Sequence, residues 1–108
     1  MANNYKFKGV ALATTSETAL LTAASDESII IRSVRVTNNT SNTPTISMDL
    51  SDNSASAEYT ILKTQTLAAN TAVEILSVPL VLEASDALKA TISSSDSIHF
   101  GISYLVIT

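Results

Sequence analysis

The run "SIIIRSVRVTN", residues 28 to 38, is the longest β-branched stretch in the chain and constrains the fold more than any other. Branching at Cβ favours the pleated backbone, where such side chains pack against strand neighbours. Strand side chains alternate between faces, so Ile29 and Ile31 share one face while Val34 and Val36 share the other. One buried face holds all four only if an extra residue shifts the register. The sequence therefore predicts a bulge at Arg32 or Ser33, with cover on both faces of the strand as the alternative.

Similar signals recur at short intervals. "TALLTA" at 18 to 23 is a short apolar run; beyond the polar loop "NNTSNTPT", Ile46, Met48 and Leu50 alternate with Thr45, Ser47 and Asp49. "EYTILKTQTL", "VEILSV", "LVL" and "LKATI" follow, each bounded by turn formers. "SIHFGISYLVIT" closes the chain with Ile98, Phe100, Ile102 and Tyr104 on one face and Gly101 opposite, where a bulge or a close backbone approach is expected. Proline lacks the N–H of a central ladder, so Pro79 belongs at an edge or a bend. "EASDA" is a tight connection in which Ser85 or Asp86 bonds the local backbone. No long window has helical periodicity. About seven to nine short strands predict an all-β protein, an antiparallel β-sandwich of jelly-roll or immunoglobulin-like type.

A chain of 108 residues supports one core. The expected organisation is an N-terminal arm or first strand over residues 1–16 and a single sandwich domain over 17–108. In the arm, Tyr5 and Phe7 face opposite to Lys6 and Lys8, and such a segment either forms a strand or lies extended on a neighbouring subunit. The arm residues Tyr5, Phe7 and Val10, with Pro79 on an exposed edge, are the candidate interface.

Chemistry is sparse. A net charge of −4 argues against binding nucleic acid by phosphate neutralisation, and Lys6, Lys8, Arg32 and Arg35 read as solvated strand-face charges. Without cysteine there are no disulfides and no thiolate metal sites. "GVALA" is too short for a secretory core, and no window reaches the roughly 18 apolar residues of a membrane span, so the reading expects a soluble protein with no leader and no membrane partner. His99 is the single histidine, and no nucleophile elbow or glycine-rich phosphate loop is present. Asp26 with Glu27 and Asp49 with Asp52 sit in or beside turns, where aspartate is expected on conformational grounds, and lack calcium-loop spacing. Aromatic residues are few and Trp is missing, which leaves glycan binding a minor alternative; Tyr59 and Tyr104 read as strand residues with the ring in the core and the hydroxyl at its rim. The expectation is a protein that is not an enzyme and uses no cofactor.

The ordered segments "IIIRSVRVTNNT", "LAANTAVEIL" and "PLVLEASDALKATI…ISYLVIT" resemble small virion structural proteins of tailed bacteriophages, over about Leu20 to Thr108. Such proteins often carry Gly where this chain has Asn70 and Ser85. The resemblance implies an all-β subunit on the outside of a virion that is assembled in the host cytoplasm. The leading expectation is a capsid cement or decoration protein that clamps neighbouring capsomers, with a tail or neck accessory role as the alternative. Its implied partners are a major capsid protein and further copies of itself, with a trimer as one arrangement, and it implies no catalytic residues.

Overall fold

Strand-forming runs and turn clusters alternate along the whole chain, and the fold follows that alternation. The computed structural model describes residues 3–108. Among them are nine strands and no helix: β1 (Asn3–Leu12), β2 (Thr18–Thr22), β3 (Ser28–Asn38), β4 (Thr45–Asp52), β5 (Ala57–Thr66), β6 (Ala72–Glu74), β7 (Leu80–Leu82), β8 (Ala87–Ile92) and β9 (Ile98–Ile107).

Pairing is nested and antiparallel throughout: β1 with β9, β2 with β8, β3 with β6 and β7, and β4 with β5. This is one long antiparallel ribbon folded back on itself. Rolling the ribbon brings β9 against β3 and β8 against β4. The result is two sheets, A in the order β1-β9-β3-β6 with β7 also on β3, and B in the order β2-β8-β4-β5. The fold is thus a jelly roll in which one strand is split into β6 and β7.

The split and the predicted bulge belong together. The β3·β9 register shifts between Ile31 and Ser33, and Ile29, Ile31, Val34 and Val36 all become buried on one face. Across β3, β7 pairs with Ile29 to Ile31 and β6 with Arg35 to Thr37, so the partner strand is interrupted opposite the bulge. Glu74 bridges that gap: its carboxylate accepts the Val34 N–H at 2.8 Å, the Leu76 N–H at 3.2 Å and the Ser33 hydroxyl. Pro79 lies exposed in the connection between the two half-strands, where no ladder N–H is required.

Between the sheets lies one core, whose largest fully buried side chains include Phe100, Ile31, Ile46, Met48, Leu88 and Ile102. Its two buried polar residues among those described are satisfied. Asn38 accepts from Thr40 N–H at 3.0 Å and donates to the carbonyls of Asn42 at 2.8 Å and Ala68 at 3.2 Å. Asp86 accepts the N–H groups of Asn53 at 2.9 Å and Glu83 at 3.0 Å, the local backbone bond expected of the "EASDA" turn. Asn70 and Ser85 both take positive φ, 52° and 67°, the left-handed conformation that glycine occupies most easily.

Two aromatic expectations divide. Tyr104 is half-buried against the core. Tyr59 is not a core ring: it stands beside Leu50 on the outermost strand of sheet B and is 54% exposed. Two register shifts bend that strand, and an edge strand has cover from one neighbour only.

Candidate interaction surface

The outward faces of the two sheets differ in kind. On sheet B the outward positions of β4 and β8 pair Ser47 with Thr91 and Asp49 with Lys89, a polar surface. Lys89 Nζ lies 3.9 Å from Glu17 and 3.8 Å from Glu58, supplying a counter-charge to the cluster formed by Glu17, Asp49 and Glu58.

Sheet A presents the opposite character. Direct cross-strand registers align Tyr5 with Leu105, Leu105 with Ile30, and Ile30 with Val81, so an apolar row crosses four strands on the outward face. Tyr5 is 75% exposed and Val81 53%, with Leu105 and Ile30 half-buried between them. Phe7, 69% exposed, extends the row along β1.

Beside Phe7 the surface dips. Gly9 and Gly101, the two glycines of the chain, face each other across β1 and β9, and Gly101 also pairs with Arg35. With no side chains there, a shallow trough of about 490 Å³ opens between Phe7, Arg35 and His99. The Phe7 ring folds over the glycines, and its Cε1 would lie 3.2 Å from a Cβ on Gly101. Gly101 therefore marks a close approach by a ring, while its ladder remains in register.

Charge also divides between the sheets, though not between their outward faces, since Lys6 and Lys8 lie on the face of β1 opposite Tyr5 and Phe7. The strands of sheet A carry Lys6, Lys8, Arg32 and Arg35 against the single acid Glu74, whereas Asp49, Asp52 and Glu58 lie on sheet B with Lys63 and Lys89. Partial burial raises the Glu74 carboxyl, but the bonds from Ser33, Val34 and Leu76 and the charge of Arg35 outweigh it and hold the group below its ordinary value. His99 projects from the exposed face of β9, paired with Thr37 and Ala11, in the trough that Ser33 and Ser103 also line; no hydrogen bond joins it to any of these hydroxyls among the described residues.

The four sequence-predicted interface residues do not form one patch. Tyr5 and Phe7 stand on the outward side of β1, Val10 turns inward and packs on the core, and Pro79 lies at the opposite edge of sheet A, beyond β9 and β3. Ile30, Val81 and Leu105, which link the two edges, were not singled out by sequence reasoning. Their signal is present in the unbroken aliphatic runs "III", "LVL" and "LVI", where strict alternation forces at least one member outward.

Neither a family model nor a curated protein sequence matches the chain. Solved structures share its fold. A chain in the structure of infectious bursal disease virus, Gx strain, superimposes with TM-score 0.61 at 10% identity over 96% of this chain and 32% of that one. A Bacillus endospore appendage, a disulfide-linked pilus, gives 0.56 at 6% identity over 97% and 84%. The Drosophila NLP core, described for pentamer formation and histone binding, gives 0.54 at 16% identity over 91% and 96%. The jelly roll of this chain is therefore a fold that viral and other assembling proteins also use.

Proposed function

We propose that this protein is a virion structural subunit, a capsid cement or decoration protein of the tailed-bacteriophage type that seats the outward face of sheet A on a larger shell. The observation that carries this reading is the one-sidedness of the molecule. An apolar row spans sheet A from edge to edge, while the outward positions of β4 and β8 in sheet B are polar, with Lys89 ion-paired. Contiguous exposed apolar surface rimmed by polar residues often marks a contact site. A subunit docked this way on a major capsid protein, beside copies of itself, stabilises the occupied particle by mass action.

The fold supports the reading in a general way, since its likenesses include a viral chain and pilus and pentamer-forming proteins. Sparse chemistry at His99 and at the acidic turns accords with a role in assembly. The test is addition of the purified protein to particles lacking it. Binding with raised resistance to heat supports the reading; absence of both binding and protection overturns it. Copies per particle separate a decorating subunit, present in large numbers, from a tail or neck accessory.

A further inference from the structure

A two-sheet fold has four edges, and each exposes backbone N–H and C=O groups able to pair with another chain. Three of the four are guarded by short, bulged or proline-broken strands. β2 is five residues long and bulged between Ala19 and Leu21. β5 carries two register shifts and a positive φ at Thr64. The β6 and β7 edge is two three-residue pieces separated by Pro79. β1 has none of these devices: its ten residues pair with β9 from Asn3 to Leu12 without a shift.

Lys6 and Lys8 are the charged residues on β1, side by side on the face opposite Tyr5 and Phe7, and neither has an ion-pair partner among the described residues. They limit what can pair there. In a two-fold β1·β1 pair, even-numbered positions meet even-numbered ones, so well-overlapped registers set lysine against lysine, and like charges directly opposite are destabilising. Carboxylates two residues apart on an incoming strand would instead meet both lysines, and the alternate positions would fall beside Tyr5 and Phe7.

We infer that the free edge of β1 accepts an added strand, and that the strand comes from a partner polypeptide alternating carboxylate and aliphatic residues. Main-chain bonds supply the attachment, and the lysine pair with the aromatic pair supplies the choice of sequence. The inference rests on the proposed virion role only for where that partner resides.

The test uses the isotope-labelled full chain with a capped peptide alternating glutamate and valine. Its comparators are the lysine-for-glutamate peptide and a version N-methylated at alternate backbone nitrogens. The glutamate peptide should shift the β1 amide resonances and slow their exchange, and bind about tenfold tighter than the lysine peptide, the worth of two exposed ion pairs. The N-methylated peptide should not bind, and Lys6→Glu with Lys8→Glu should invert the charge preference. Equal response to both charged peptides, no response in β1, or β1 protection that appears with protein concentration alone would overturn the inference, the last by assigning the edge to a second copy. Particle attachment without any peptide response strikes this inference and leaves the virion role; peptide response without particle attachment does the reverse.

Discussion

The Phe7 ring lies over Gly101, with Cε1 3.2 Å from where a Cβ would stand. A glycine inside a strand leaves backbone uncovered, and a ring from the neighbouring strand restores that cover. Phe7 is exposed on its far side, so it can yield to a new methyl group, though only by leaving the glycine floor.

This arrangement predicts coupling between the two positions. Phe7→Ala should cost about 0.5–1 kcal/mol as a lost cross-strand contact. Gly101→Ala should stabilise the Phe7→Ala protein by about 0.5 kcal/mol or more, because alanine loses less backbone freedom than glycine, and should stabilise the wild type less. Urea unfolding of the four proteins in a double-mutant cycle measures the difference.

Two left-handed residues, Ser85 in a turn and Thr64 within β5, predict easy gains. Ser85 at φ 67° and Thr64 at φ 55° hold side chains where glycine is favoured. Ser85→Gly and Thr64→Gly should each stabilise by about 1 kcal/mol, the usual cost of that conformation for a residue bearing a Cβ, less the entropy glycine regains on unfolding. Thermal melts of the single variants check this.

Deleting Arg32 tests the bulge. Loss of the extra residue would turn either Ile29 and Ile31 or Val34 and Val36 away from the core. Exposing two such side chains forfeits about 3–6 kcal/mol, a large share of a small domain's stability. Circular dichroism should show an unfolded or heat-labile chain, whereas Arg32→Ala should remain folded.

Glu74 predicts a pH dependence. Its folded carboxyl titrates below its ordinary value, so its contribution is complete above the unfolded glutamate range, about pH 4.3, and is lost as pH falls through the lowered folded value. Glu74→Gln should be less stable than wild type at neutral pH, and the two melting curves should converge in acid.

The sequence carried much of this fold in legible form because burial on one face imposes parity. The mismatch between Ile29/Ile31 and Val34/Val36 located the bulge, and Pro79 located a broken edge. Strand order was not legible, since alternation says which face is buried and nothing about which strands are neighbours. For the same reason the row from Tyr5 to Val81 was hidden: its members lie on four strands that meet only when the ribbon rolls. Tyr59 misled because an aromatic in an alternating strand reads as core, while cover depends on the strand's place in the sheet.

Attachment of surface variants to particles lacking the protein tests the central claim most directly. Ile30→Thr with Val81→Thr alters the outward face of sheet A, and Ser47→Ala with Thr91→Ala alters the outward face of sheet B. The first pair should stay folded and lose attachment, and the second should bind as wild type does. Full attachment by the sheet A variant, or loss confined to the sheet B variant, would contradict the account.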